Sequence, residues 1–182
     1  PVIICNVQRG GPSTGLPTKT EQSDLLQSLF SRHGDCPLPV IAAHSPSDCF
    51  ECSIEACRIA LTYCTPVIYL SDLYVANGAE PWCVPNVSDI PVIENSFAKT
   101  DEEYVIYRRD PKTLARMQAI PGQVGLEHRI GGLEKGEDGG VSYDPDNHEE
   151  MSHLRAQKVA GIAKSLDPIE IQGEPEGDLL VI

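Results

Sequence analysis

The feature of this sequence that most limits its fold is a set of three short apolar runs that each begin with Pro-Val-Ile. The runs are PVIICNV (1–7), PVIAA (39–43) and PVIYLSD (66–72). They are rich in β-branched residues and do not alternate with polar ones, which is typical of strands buried on both faces of a parallel sheet. We therefore expect three parallel strands, each covered on both sides.

Helical patterns fill the two gaps between these runs. The helix predicted between the second and third runs has a clear start, with Ser45 as N-cap and Pro46 at the first position, and it runs to about Cys64. The first gap helix is expected at about 20–32, where apolar residues recur at Leu25, Leu26, Leu29 and Phe30. Alternating strands and helices with right-handed crossovers predict an α/β fold with a doubly wound, mostly parallel sheet.

The pattern changes after the third run. A proline-rich connector leads into glycine-rich residues 101–145, and a long helix and an exposed linker follow. We predict that 1–95 is the later portion of an α/β domain and 96–168 an irregular extension of it with the long helix. Residues 169–182 are predicted to be a linker and the first strand of a second, small α/β domain. Both ends resemble unfinished strands, so we expect an internal segment of a longer chain.

The charge of the chain argues against some partners. With 14 Lys+Arg against 27 Asp+Glu, the formal net charge is −13, and no dense basic run is present. Binding to a phosphate backbone requires clustered cations, so no nucleic acid partner is expected. No apolar run approaches the length of a membrane span, so no membrane association is expected either.

The seven cysteines predict free thiols. An odd number scattered through apolar runs fits reduced cysteines in a cytoplasmic protein better than a secreted disulfide framework. Cys49 and Cys52 form a C-x2-C pair, but a zinc or iron–sulfur site needs a second pair at compatible spacing. Both residues fall inside the predicted second helix, so we predict small buried thiols and no metal site in this chain.

A glycine-rich loop, QRGGPSTGLPTKTEQSDLL, follows the first strand and is suited to hold an anion. Gly10 and Gly15 match the first half of a phosphate-binding P-loop. Leu16 and Pro17 then stand where that motif has Lys and Ser/Thr, the groups that meet phosphate and magnesium. The loop is therefore not a nucleoside triphosphate loop.

The chemistry that remains in this loop is that of a carboxylate site. Arg9 follows the carboxyl end of a strand, where open α/β sheets place their ligands, and its planar fork suits a carboxylate. The hydroxyls of Ser13, Thr14 and Thr18 add donors. The alternative is a Gly-Pro surface turn with a solvent-exposed arginine. Farther along, His128 lies with Arg129 in a second glycine-rich loop, where it is either structural or substrate-facing.

Three long stretches carry a resemblance to a known family. They are NVQRGGPSTGLPTKTEQSDLLQSLFSRHGDCP, SPSDCFECSIEACRIALTYCTPVIYLSDLYVANGAEPW, and GLEHRIGGLEK followed by VSYDP. They are similar to the alpha subunit of 2-oxoacid:ferredoxin oxidoreductases, nearest to the 2-oxoglutarate type, and the similarity covers nearly the whole chain.

The resemblance implies a thiamine diphosphate-dependent enzyme. The alpha subunit of that family supplies the pyrimidine-binding domain for thiamine diphosphate, and a beta subunit supplies the diphosphate and magnesium site and an iron–sulfur cluster. The complex decarboxylates a 2-oxoacid oxidatively, forms an acyl-CoA from coenzyme A, and reduces ferredoxin. The resemblance also implies that this chain is inactive without its beta subunit.

The resemblance assigns roles within the anion loop. Arg9 would pair with the substrate carboxylate as a catalytic residue, and Thr18 would line the same pocket and help select the 2-oxoacid. The family's YPITP-like loop and the Glu that protonates the pyrimidine ring are absent here, so cofactor contacts are expected before Pro1. Two alternatives stay open: the same family acting on pyruvate or a branched-chain or aryl 2-oxoacid, and a non-catalytic assembly module.

Overall fold

The computed structural model describes residues 1–12, 15–100, 103–168, 173 and 176–179. Two short 3-10 turns accompany its regular elements, at Val87–Asp89 and Ala163–Ser165. The strands and helices, in chain order, are β1 (Val2–Gln8), α1 (Leu25–Phe30), β2 (Val40–Ala42), α2 (Asp48–Tyr63), β3 (Pro66–Asp72), α3 (Leu73–Asn77) and α4 (Pro145–Ile162).

The three predicted strands form one sheet. Its order is β1-β3-β2, and both pairings are parallel, as predicted. The direction of travel reverses between the two crossovers, so right-handed connections put the intervening segments on opposite faces of the sheet. In the register of β1 with β3, Gln8 lies opposite Asp72. The carboxyl ends of the two strands therefore meet at one edge, which is where a ligand loop belongs.

The expectation that all three strands are buried on both faces is wrong for two of them. The central strand β3 is buried almost throughout, whereas β2 is only partly covered and most of β1 is exposed. Ile4 in β1, for example, is 49% exposed. The physical reason is position: within the described ranges β1 and β2 each pair with a strand on one side only, and α2 packs mainly against β3. Apolar composition does not distinguish an edge strand from a central one.

Both predicted gap helices exist, but they begin later than expected. Helix α1 covers only Leu25–Phe30 of the predicted 20–32, because the residues before it are used in tertiary hydrogen bonds. Helix α2 begins at Asp48 rather than at Pro46. Ser45 still caps it, since its Oγ accepts a hydrogen bond from the Asp48 N–H at 3.3 Å. The helix ends at Tyr63, and Cys64 turns the chain in the left-handed region with φ 47°.

The core lies between α2, β3 and α4. Helix α2 contributes most of its buried side chains, and Ile162 of α4 joins them from the far end of the sequence. The members of this cluster are Ala56, Ile59, Ala60, Tyr63, Val67 and Ile162. The long helix predicted after the irregular residues is thus confirmed at Pro145–Ile162, and it packs against the α/β portion because Ile162 in its last turn joins the buried cluster of α2 and β3.

The segment between α3 and α4 is irregular, as predicted. It is held by isolated bridges between Phe97 and Gln118, Arg109 and Arg116, and Lys135 and Val141. Among the described residues, no helix is both long and apolar enough to cross a membrane. The division at 95 and 168 stays a prediction, and most of the predicted linker and strand at 169–182 lies outside the described residues.

Candidate functional site

A buried glutamine at the end of β1 holds both ends of the glycine-rich loop. The Gln8 side chain is 7% exposed, and its Nε2 donates to the Ser71 carbonyl oxygen of β3 at 3.2 Å. Its Oε1 accepts a hydrogen bond from the Asp24 N–H at 2.9 Å. Asn6 Nδ2 donates to the Asp24 carboxylate at 3.0 Å. The loop from 9 to 23 is therefore closed at its base onto the strand from which it starts.

A buried aspartate at the end of β3 gives the loop a second anchor. One Asp72 oxygen accepts from the Tyr74 and Val75 N–H groups at 2.7 and 3.0 Å and so caps α3. The other accepts from Gln22 Nε2 at 2.6 Å. Burial tends to raise the pKa of the Asp72 carboxyl, but the hydrogen bonds from Gln22, Val75 and Tyr74 outweigh it and lower the pKa. The carboxylate is therefore ionised and fixed.

The tip of the loop folds back on itself through its own backbone. The Gly10 N–H donates to the Lys19 carbonyl oxygen at 3.1 Å, and the Leu16 N–H donates to the Gly10 carbonyl oxygen at 2.8 Å. Gly15 has φ 77°, and a Cβ atom there would lie 1.8 Å from the Gly10 oxygen. Only glycine fits this close approach of two backbone segments.

The structure places Arg9 at the mouth of this loop. It directly follows β1, as predicted, and its side chain is exposed. Within the described part of the chain, its guanidinium has no hydrogen-bond or ion-pair partner. Its stem runs beside Gly15, with the Arg9 Cγ 3.3 Å from where a Cβ on that glycine would be. Among the described residues, Arg9 thus keeps its charged fork without a partner, next to loop residues that are joined by backbone hydrogen bonds.

Of the three hydroxyl residues predicted in the loop, the structure describes Thr18. The bond between Gly10 and Lys19 joins the neighbours of Arg9 and Thr18. Thr18 adopts φ 56°, uncommon for a non-glycine residue, and its Oγ1 donates to its own neighbour's carbonyl, Pro17 O, at 2.7 Å. Ser13 and Thr14 lie outside the described residues.

The structure gives His128 a local role. Its Nδ1 lies 2.7 Å from the Leu126 carbonyl oxygen, and its ring packs edge-on against Tyr104 at 5.3 Å between ring centres. No described hydrogen bond joins it to the glycine-rich loop. The sequence groups His128 with the site only by composition, and the contacts that are described are those of a residue ordering its own segment.

The cysteine pair is a pair of thiols in a helix, but half-buried rather than buried. Cys49 and Cys52 lie in the first turns of α2, and all seven cysteines are free. Burial and the nearby Asp48 carboxylate raise the pKa of Cys52 to about 12, which keeps the thiol protonated. Among the described residues, no group of three or more His, Cys, Asp or Glu side chains is arranged to hold a metal ion.

Sequence reasoning missed the polar residues that build the site. The side-chain bonds that hold the loop to the strands, made by Gln8, Gln22, Asp24 and Asp72, join residues 16 to 63 positions apart. One signal was available: Gln8 and Asp72 both end apolar strands, and parallel strands bring such ends together. The pairing of β1 with β3 could not be read from the sequence, so their contact could not either.

The fold and this loop define an open α/β ligand-binding domain, with an arginine-bearing loop at the carboxyl edge of its strands. The family model described as "Pyruvate flavodoxin/ferredoxin oxidoreductase, thiamine diP-bdg" matches residues 1–141. The chain therefore belongs to this family, and its doubly wound sheet is the family's thiamine diphosphate-binding fold. The resemblance seen in the sequence is confirmed.

Named relatives point the same way. The chain is 54% identical over 179 residues to the 2-oxoglutarate oxidoreductase subunit KorA of Mycobacterium tuberculosis, which covers 98% of the chain and 27% of that subunit. It is 39% identical over 113 residues to the 2-oxoglutarate synthase subunit KorA of Archaeoglobus fulgidus, covering 62% of the chain and 32% of that subunit. The chain spans about a third or less of the length of these relatives.

A solved structure agrees in fold. It is the 2-oxoglutarate:ferredoxin oxidoreductase from Magnetococcus marinus with 2-oxoglutarate, coenzyme A and succinyl-CoA bound. The two chains superpose with a TM-score of 0.87 at 35% identity, over 94% of this chain and 30% of that one. The similarity therefore extends well beyond the three-stranded sheet.

We predict that Gly15→Ala opens the loop, because the added Cβ cannot share space with the Gly10 carbonyl oxygen. Trypsin cleavage after Arg9 and Lys19 in the complete subunit should become several-fold faster, roughly the effect of losing a single ordered loop conformation. Gly11→Ala is the matched control, since a Cβ there meets nothing within 4 Å. Equal cleavage of the two variants would contradict the proposed fit at position 15.

We predict that Asp72→Asn makes the thermal midpoint of unfolding depend less on pH in the acidic range. The folded-state pKa of Asp72 is below its ordinary value of 3.8, so its ionised form stabilises the fold above that pH. This stabilisation is lost as the pH falls through the lower, folded-state pKa. Thermal midpoints measured from about pH 3 to pH 7 should therefore depend less on pH in the variant. Asp35→Asn, at an exposed position, should leave the slope unchanged.

Proposed function

We propose that this chain is part of the alpha subunit of an enzyme that oxidatively decarboxylates a 2-oxoacid, with 2-oxoglutarate as the substrate. The products are carbon dioxide and an acyl-CoA, and the electrons pass to ferredoxin. The family match and the names of the KorA relatives support this proposal, as does the neighbour that carries 2-oxoglutarate and coenzyme A. The observation that carries it is the exposed Arg9 at the carboxyl edge of the sheet, which has no partner among the residues that the structure describes.

Arg9 would act by holding the carboxylate of the substrate in one orientation. Carbon dioxide leaves a 2-oxoacid readily only when the breaking carbon–carbon bond is held in one direction, and a guanidinium that grips the carboxylate with two hydrogen bonds fixes that direction. The closed backbone of the loop would keep the fork in place, because Gly10 and Gly15 contact each other beneath it. Positioning of this kind is worth several kcal/mol of a reaction barrier.

Thiamine diphosphate, when bound, supplies the nucleophile and the electron sink for the decarboxylation. We assign no described residue of this chain to its ring, and the pyrimidine-binding role of the domain is proposed on family grounds. The free fork of Arg9 fits the substrate's carboxylate instead. Thr18, with Ser13 and Thr14, is proposed to line the substrate side of the loop, and His128 is kept as a weaker candidate for contact with substrate.

The remaining partners are also proposals. A beta subunit would supply the diphosphate and magnesium site and an iron–sulfur cluster, and the Arg9 loop would face it across a shared cleft. Subunit names among the relatives support a complex of several chains. The seven free cysteines support a cytoplasmic location, because such thiols persist in a reducing compartment.

We predict that Arg9→Lys lowers kcat/KM for 2-oxoglutarate roughly tenfold or more, because an ammonium cannot reproduce the two-point grip of a guanidinium. The measurement is steady-state ferredoxin reduction by the complete alpha–beta complex. Arg32→Lys is the matched control, since the Arg32 fork bonds carbonyl oxygens at the end of α1. Wild-type turnover in Arg9→Lys would remove Arg9 from the reaction.

We predict that Thr18→Ala changes substrate choice more than rate. A hydroxyl at the edge of a pocket discriminates between 2-oxoacids through the polar end of the longer one, which pyruvate lacks. The ratio of kcat/KM for 2-oxoglutarate to that for pyruvate should shift several-fold, while kcat for the preferred substrate stays within about twofold. Thr20→Ala, in the same loop, is the control. An unchanged ratio would count against a role for Thr18 in selectivity.

A further inference from the structure

A cleft of about 730 Å³ lies beside the second half of α2, between that helix and the irregular segments 92–96 and 108–118. Its charge is opposite to that of the whole chain. The carboxylates that line it are Glu94 and Asp110, while its cationic lining residues are Arg58, Arg108, Arg109, Lys112 and Arg116. Five of the 14 Lys and Arg residues of a chain with net charge −13 thus meet in one cleft. Four of the five come from the short stretch 108–116, and the fold adds Arg58 of α2 to them.

Two of these cations are held opposite each other by the backbone. Arg109 and Arg116 form an antiparallel bridge, which directs both side chains to the same face. The turn between them is rigid, because Asp110 Oδ1 accepts from the Lys112 and Thr113 N–H groups at 2.9 and 2.7 Å. Like charges directly across such a pair destabilise it. The hairpin therefore carries an electrostatic cost that an anion would relieve.

Further cations stand behind the hairpin on α4. Burial lowers the pKa of Lys158, and the nearby charges of Arg109, Arg116 and Arg155 lower it further. The Arg109 Nε is buried and, among the described atoms, has no hydrogen-bond partner. Burial likewise lowers the pKa of Arg109. This group of cations is thus incompletely neutralised by the side chains around it.

The carboxylates nearby are already engaged. Glu134 bonds His148 at 2.8 Å and Arg155 at 3.3 Å. Asp110 is used by its own turn. At the rim, Glu55 holds Arg58 at 2.5 Å. Lys112 and Arg116 therefore retain the most capacity for a ligand, since the side-chain bond described for Arg116 is one at 3.5 Å to the Met117 carbonyl oxygen.

We propose that this cleft binds a phosphate-bearing ligand of nucleotide size, with its phosphate held between Arg116, Arg109 and Lys112. A guanidinium fork matches a phosphate in two-point geometry, and a flexible ammonium adds a point charge. The volume of the cleft falls within the ~300–1,000 Å³ range of small-molecule sites and exceeds the need of a lone inorganic anion.

The cleft adds to the proposed function and does not depend on it. Helix α2 runs antiparallel to the strands of a parallel sheet, so its second half, with Arg58, Leu61 and Thr62, lies toward the amino ends of the strands. The Arg9 loop lies at their carboxyl ends. Helix α2 has sixteen residues at ~1.5 Å per residue, so its length separates the cleft, near the amino ends of the strands, from the Arg9 loop at their carboxyl ends. A variant in the cleft therefore leaves the Arg9 loop intact.

Isothermal titration of the complete alpha–beta complex with pyrophosphate and with ADP tests the proposal. The complex is first saturated with thiamine diphosphate and magnesium, so that the diphosphate site of the cofactor is filled. We expect both probes to bind, and Arg116→Gln and Lys112→Gln each to weaken ADP binding roughly tenfold, as loss of a charge-assisted phosphate contact does. Lys99→Gln, an exposed residue outside the cleft, is the matched control.

Each result of the titrations either supports the phosphate site or overturns it. Weaker ADP binding by Arg116→Lys, but less weakened than by Arg116→Gln, together with an unchanged Lys99→Gln, would support a specific site and exclude misfolding. Competition of coenzyme A with ADP would identify the coenzyme as the source of the phosphate, and its absence would identify a separate nucleotide; both support the proposal. Failure of both probes to bind, or equal weakening by Lys99→Gln, would overturn it.

Discussion

The structure depends on the contact between the ends of two parallel strands. Gln8 and Asp72 lie opposite each other in the sheet, both are buried, and each uses its side chain to hold a different part of the glycine-rich loop. A buried amide and a buried carboxylate are costly unless every polar atom finds a partner, and here they do: strand, loop and helix α3 supply them. The hydrogen bonds that offset the cost of burying Gln8 and Asp72 therefore also hold the loop.

The anchored base of the loop holds Arg9 in place, and Arg9 has no partner among the residues that the structure describes. An arginine on a mobile surface loop would lose much of its orienting value to side-chain and backbone entropy, whereas this loop is closed at its base by Gln8 and at its tip by the contact of Gly10 with Gly15. The role proposed for Arg9 would benefit from a cation that is directed before the substrate arrives. The uncharged backbone and the buried polar groups hold the loop in place, and the exposed guanidinium of Arg9 provides the charge.

Much of this fold could be predicted from local pattern, and the failures have identifiable causes. The three strands and their parallel arrangement follow from runs of residues such as PVIYLSD, and helix α2 follows from the cap at Ser45. The start of α1 was missed because Gln22 and Asp24, which look compatible with a helix, are used in bonds to Asp72 and Gln8. The exposure of β1 was missed because burial of a strand depends on its place in the sheet order, which periodicity does not encode. Four of the five cations of the cleft lie close together in the sequence at 108–116, but their meeting with Arg58 of α2, some fifty positions earlier, depends on the tertiary fold and was missed for that reason.

The most direct test of the account is an experimental structure of the complete alpha–beta complex with thiamine diphosphate and 2-oxoglutarate bound. The quantity to measure is the separation between the Arg9 guanidinium nitrogens and the oxygens of the substrate's carboxylate. We expect two contacts of about 2.7–2.9 Å, with the loop backbone unchanged between Gly10 and Gly15. An Arg9 side chain that points to bulk water while another residue holds the carboxylate would contradict the account.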